Sequence, residues 1–108
     1  MAADYPWLRK YPSNVRWDVT IPGRPLYTLL DDAERQFPDR PAVDFLGRKY
    51  TYAELASEVR KLTTALKALG VKPHVKVGIC LPNCPQFIIS YFAILRCGAT
   101  VVNFNPLY

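Results

Sequence analysis

Histidine is almost missing from this chain: His74 is the only one, set in a Lys-Pro-His loop. With no orienting partner beside it, a Ser/His/Asp relay has nothing to build on, and His74 reads as a surface residue. Glycine is scarce and scattered. Gly23, Gly47, Gly70, Gly78 and Gly98 stand alone, so no glycine-rich loop cradles a phosphate. No apolar run approaches the ~20 residues of a membrane-spanning helix. The start, Met1-Ala-Ala-Asp-Tyr-Pro-Trp-Leu-Arg-Lys10, holds no apolar signal region, and the expected compartment is the cytoplasm. The cysteines number three, Cys80, Cys84 and Cys97. An odd count without an export signal argues against a disulfide framework, and their spacing does not suit zinc. Cys80 and Cys97 read as buried thiols, and Cys84, inside Pro82-Asn-Cys-Pro85, as exposed. No metal site and no catalytic residue is expected.

What is present is a hydrophobic half and a net charge of +5. The length allows one small domain or part of a larger one. The basic residues never run beyond two together, so the charge reads as a solvated surface and not as a nucleic-acid footprint. A weak attraction to an anionic membrane surface or a phosphorylated ligand stays open.

Residues 1–25 are expected to form an extended, proline-rich lead-in. Pro6, Pro12, Pro22 and Pro25 fall there, each fixing φ and removing a donor. Its Trp7, Leu8, Tyr11 and Trp17 are too apolar for a free tail and are expected to lie across the body of the protein. A first helix is predicted over Leu26–Phe37, with Leu26, Leu29, Leu30, Ala33 and Phe37 on one face. The neighbours Asp31 and Asp32 point to different faces of it and read as favourable charges in its first turns. Ala42–Leu46 and Lys49–Thr51 form a β-hairpin about a Gly47-Arg48 turn. Thr51, with Glu54 three residues later, is a capping box that opens a second helix. Tyr52, Leu55, Val59, Leu62, Leu66 and Leu69 mark its apolar face, and Gly70 stops it. Val75–Leu81 is a near-continuous apolar run, as in a parallel strand buried on both faces. A helix over Gln86–Cys97, apolar nearly all round, and a strand over Ala99–Phe104 complete a strand–helix–strand unit with parallel pairing. The fold class is α/β: a partial domain with a β-hairpin, that parallel unit and flanking amphipathic helices.

Leu81-Pro-Asn-Cys-Pro-Gln-Phe87, Tyr91-Phe-Ala-Ile-Leu-Arg-Cys-Gly-Ala99 and Val102-Asn-Phe-Asn-Pro-Leu-Tyr108 resemble the N-terminal region of adenylate-forming acyl-CoA synthetases. Phe37-Pro-Asp-Arg-Pro-Ala42, Thr51-Tyr-Ala-Glu-Leu55 and Leu66-Lys-Ala-Leu-Gly-Val71 agree in order and spacing. The Asn-Phe-Asn-Pro-Leu-Tyr ending and the Tyr5-Pro-Trp-Leu lead-in are most similar to bacterial long-chain fatty-acid–CoA ligases. The resemblance implies that residues 26–108 are the N-terminal part of a larger AMP-binding (adenylation) domain, truncated at its C-terminal end. The parent would take a fatty acid, ATP, Mg²⁺ and CoA, and form acyl-CoA through an acyl-adenylate. The phosphate loop and catalytic lysine of the family lie downstream, so the fragment alone is expected to be inactive.

The resemblance also places Phe104, Asn105 and Pro106 at the border of the CoA channel in the parent. Read without it, Asn105-Pro106 is a strand-to-helix turn whose proline opens the next helix. An aryl-CoA ligase, a peptide-synthetase adenylation domain or a non-enzymatic α/β interaction module are the alternatives. Left without its downstream cover, the fragment is expected to self-associate. A peripheral position at the inner face of the membrane is compatible with the charge.

Overall fold

The computed structural model describes residues 4–108; the first three residues of the lead-in lie outside it. In chain order come a short 3₁₀ helix (Pro6–Lys10), α1 (Thr28–Gln36), β1 (Pro41–Phe45), β2 (Arg48–Thr51), α2 (Tyr52–Ala68), β3 (Lys76–Ile79), α3 (Pro85–Arg96) and β4 (Thr100–Asn103). β1 and β2 pair antiparallel; β3 and β4 pair directly and parallel, with Val77 opposite Val101 and Ile79 opposite Asn103. This is the expected mixed α/β partial domain.

α2 is written into its own sequence at both ends. Glu54 N donates to Thr51 Oγ1 at 3.1 Å and Thr51 N donates to Glu54 Oε2 at 2.9 Å, so the capping box is closed. At the far end Gly70 adopts φ 92°, Gly70 N donates to the Lys67 carbonyl, and Val71 N donates to that of Leu66. That pair of bonds is a Schellman motif, which needs a residue with positive φ and so favours glycine. α3 ends the same way: Gly98 has φ 72°, Gly98 N reaches the Leu95 carbonyl and Ala99 N that of Ile94.

α3 lies between two apolar clusters. Ile88, Ile89, Phe92 and Ala93 join Leu55, Ala56 and Val59 of α2, with Leu30 of α1. Phe87, Tyr91 and Ile94 join Val77 and Ile79 of β3. The all-round apolar character of this helix follows from having a neighbour on each side. Among the residues of this helix Pro85, Ala93 and Ile94 are buried; its other large apolar side chains are half-buried.

Several expectations are corrected. The hairpin turn is Leu46-Gly47, not Gly47-Arg48. Both turn residues have positive φ, 52° and 84°, the two-residue geometry whose twist matches the flanking strands; Arg48 pairs with Phe45 and closes the loop. α1 begins at Thr28, because Thr28, Leu29 and Leu30 first bond back three residues to Pro25, Leu26 and Tyr27. Of its predicted face only Leu30 is buried; Leu26, Leu29 and Phe37 stay exposed, since α1 meets α2 along one edge. Leu69, the C-cap of α2, has left the buried face and is 81% exposed. β3 is covered on one side only: Ile79 is buried and Val77 half-buried, while Lys76 and Gly78 face out. Cys80, past the end of β3, is exposed and not buried, and Cys84 is half-buried and not exposed; Cys97 is buried as expected.

The lead-in is not extended throughout, because Pro6 starts a 3₁₀ turn. Its aromatic side chains do not enter the core: neither core cluster includes a residue before Leu30. Asp31 and Asp32 do more than complement a helix end. Asp31 pairs with Arg96, tying α1 to the last turn of α3, where the guanidinium also lies 5.1 Å from the centre of the Tyr27 ring. Asp32 takes Arg24 at 2.8 Å and Arg35. The hydrogen bond from Arg24 leads in holding the Asp32 carboxyl below its usual range.

Candidate functional site: the crevice at the carboxyl ends of β3 and β4

Parallel pairing brings the carboxyl ends of β3 and β4 to one edge, and the chain leaves both strands there. In open α/β sheets this is where ligands bind. The edge is a crevice of about 600 Å³ lined by residues of both strand exits and the first turn of α3. Phe104, Asn105 and Pro106, the three residues singled out from the sequence, all lie on its wall. Asn83 comes to the same crevice from the β3–α3 turn, Phe87 from the first turn of α3, and Asn103 and Tyr108 from β4 and beyond. The sequence reading had not assigned these four to a site. The first two belong to the Leu81–Phe87 motif, which is the sequence signal for them.

The local chemistry holds this wall in place. Phe104 N donates to the Ile79 carbonyl at 2.8 Å, extending the β3–β4 ladder one step into the turn. Asn105 Oδ1 accepts from Leu107 N at 2.9 Å, and the Asn105 carbonyl accepts from Tyr108 N at 3.1 Å. The asparagine therefore closes its own turn, and its side-chain NH₂ has no partner among the described residues. Pro106, with its fixed φ, stiffens that turn.

Across the strand pair, Phe104 lies over Gly78. A Cβ built on Gly78 would stand 2.8 Å from Phe104 Cε2 and 3.3 Å from Cδ2. The missing side chain is what lets the ring settle there. Gly78→Ala is expected to displace the Phe104 ring. Stability should change by less than about 1 kcal/mol, because the half-exposed ring can swing away and alanine suits a strand better than glycine. Ring-proton NMR shifts with a parallel urea titration check this; unmoved Phe104 signals would contradict the contact.

Among the described residues no charged one lines the crevice. Its polar groups are the amides of Asn83, Asn103 and Asn105 and the Tyr108 hydroxyl, set among apolar and aromatic walls. Such a lining suits a neutral, amide-bearing chain better than a phosphate, which wants cations or converging N–H groups. A larger concavity of about 990 Å³ lies between β2, α2 and α3. Its charged groups are already engaged: Glu54 in the capping box, Glu58 with Lys61 at 2.8 Å, and Arg48 over the Tyr50 ring at 4.6 Å. Among the described residues no group of three or more His, Cys, Asp or Glu converges to hold a metal ion. The residues present do not fit Mg²⁺, and no step through it is assigned to this chain.

The family model for AMP-binding enzymes matches residues 30–108. The chain belongs to the AMP-binding enzyme family. This family member is 37% identical over all 108 residues to a long-chain-fatty-acid–CoA ligase of Bacillus subtilis, of which it spans 19%. It is 45% identical over 80 residues, 74% of its length, to triostin synthetase I of Streptomyces triostinicus, of which it spans 15%. Its structure superposes on the N-terminal subdomain of Klebsiella oxytoca NpsA in complex with 3-hydroxyanthranilyl-AMSN. That match has a TM-score of 0.76 and 29% identity, and covers 79% of this chain and 22% of that one. The chain thus spans about a fifth or less of the length of these relatives.

Proposed function

We propose that residues 26–108 are the N-terminal scaffold of a fatty acyl-CoA synthetase. One observation carries the acyl assignment: the likeness to the Bacillus subtilis ligase runs through the whole chain, the lead-in included, whereas that to triostin synthetase I stops at 74% of it. The reaction has two steps. A fatty carboxylate attacks the α-phosphorus of ATP, giving acyl-adenylate and pyrophosphate; the CoA thiolate then attacks the acyl carbon and AMP leaves. A carboxylate is a poor electrophile, and the mixed anhydride supplies the leaving group it lacks.

In this reading the crevice borders the path of CoA. Phe104, Asn105 and Pro106 line it together with Asn83 and Phe87. The neutral lining supports contact with the amide-bearing pantetheine arm and not with the nucleotide phosphates. The chain's own residues bind and orient; none transfers a proton or a group. A second reading, a peptide-synthetase adenylation domain, is favoured by the higher local identity to triostin synthetase I.

Exchange of labelled pyrophosphate into ATP distinguishes them. The 108-residue chain alone is expected to give none with any acid. Expressed with the rest of its reading frame, it should exchange with long-chain fatty acids and release AMP when CoA is added. Exchange driven by an amino acid or an aryl acid in place of a fatty acid would overturn the acyl assignment.

A further inference from the structure

The lead-in carries an aromatic patch that the crevice does not use. Tyr5 stacks on Trp7, ring centres 4.7 Å apart and planes 17° from parallel, and meets Trp17 edge-on at 5.6 Å. These contacts fix three rings together without hiding them: Trp7 is 54% exposed and Trp17 44%. Tyr11 and Val15 of the same segment are exposed as well. Cations stand in the same segment. Arg9 and Lys10 occupy the last turn of the 3₁₀ helix, are exposed, and form no ion pair among the described residues. Arg16 is partly answered by Asp18 at 3.5 Å. Counting Asp4, residues 4–18 hold three cations against two acids.

Exposed tryptophan and tyrosine beside lysine and arginine is the composition of a bilayer–water interface. The rings sit at the acyl boundary with their polar atoms among headgroups, and the cations meet anionic lipid. We propose that this patch docks the chain on an anionic membrane surface. Charge complementarity selects that occupant, since each exposed cation adds about fivefold to partition onto such a surface. No helix of the described residues is long and apolar enough to cross a membrane, so the contact is one of surface docking. It is independent of the acyl assignment and would survive its failure.

The chain's two tryptophans are both in the patch, so their emission reports on it alone. The 108-residue chain is to be titrated with unilamellar vesicles of phosphatidylglycerol and phosphatidylethanolamine, and with phosphatidylcholine vesicles as the uncharged comparison. Co-sedimentation with a blue shift is expected on the anionic vesicles, weakening at high salt, and roughly tenfold or more weaker binding on the uncharged ones. Arg9→Gln with Lys10→Gln should weaken binding by about twenty-five-fold while keeping the shift at saturation. Trp7→Ala should weaken binding while Trp17 still reports the shift; unchanged circular dichroism would show that these exposed positions leave the fold intact. No co-sedimentation, binding with unshifted emission, or equal binding to both vesicle types would overturn the proposal. So would a blue shift with dimerisation in the absence of lipid, which would make the patch a protein contact.

Discussion

Replacing Ile94 with alanine is expected to remove about 2–5 kcal/mol of folding stability, the range for deleting a large buried aliphatic side chain. Ile94 is 2% exposed and packs in the cluster that holds α3 on the β3–β4 pair, with Ile79, Cys97 and Ala99 as its buried neighbours. Truncation loses the transfer energy of three carbon atoms and leaves a void that the backbone of two Schellman-capped helices cannot readily collapse into. For a chain of this length total stability is on the order of 5–15 kcal/mol, so the variant forfeits a large share of it. The urea midpoint should fall sharply at unchanged slope. Leu69→Ala, at a site 81% exposed, is the comparison and should shift stability by less than about 0.5 kcal/mol. An Ile94→Ala cost below 1 kcal/mol, on the order of a surface change, would mean that the strand pair is not packed by α3 in this chain.

The elements legible in the sequence were those whose signals are local. Thr51 and Glu54 sit three residues apart and bond to each other, so α2 announces its own start; Gly70 and Gly98 announce both helix ends. Parallel pairing of β3 and β4 was legible because a short strand–helix–strand segment has few ways to close. Burial was less so, since it depends on residues distant in the chain. Val75–Leu81 reads as apolar on both faces, yet only the side of Val77 and Ile79 finds α2 and α3 as cover. Leu26 and Leu29 have the period of a core face but stay exposed. The Asp31–Arg96 pair joins two helices whose contact no local pattern encodes.

The site divides the same way. Phe104, Asn105 and Pro106 were found through a family resemblance; spacing alone gave only a turn. Placing Asn83 and Phe87 in the same crevice required the parallel register that brings both strand exits to one edge. The contact between Gly78 and Phe104 needed that register too, because Gly78 stands opposite Val102 and the ring two residues further on then reaches it.

The three thiols should differ in reactivity by orders of magnitude. Only the thiolate attacks an alkylating reagent. Cys80 is exposed, whereas Cys97 is 5% exposed and its Sγ lies 3.8 Å from the Thr63 carbonyl, which accepts its weak hydrogen bond. Burial pushes the Cys97 thiol above its ordinary value, with Lys67 pulling weakly the other way. Alkylation of Cys97 therefore waits for the core to open. With an opening free energy near the lower end of ordinary domain stability, it should lag Cys80 by at least roughly a thousandfold. The same shift fixes the sign of a pH effect. Below the ordinary thiol value both folded and unfolded chains are protonated, and the neutral buried thiol contributes in full. As pH rises through that value toward the elevated folded one, the unfolded chain ionises first, and stability falls. Cys97→Ala should remove that part of the alkaline decline, read as the difference between the two proteins' urea midpoints at neutral pH and at pH ~10. Mass-spectrometric mapping after timed iodoacetamide treatment gives the rates. Equal labelling of Cys97 and Cys80 in native buffer would show that the cluster around Ile94 opens freely, and the packing of α3 on β3 and β4 would have to be abandoned.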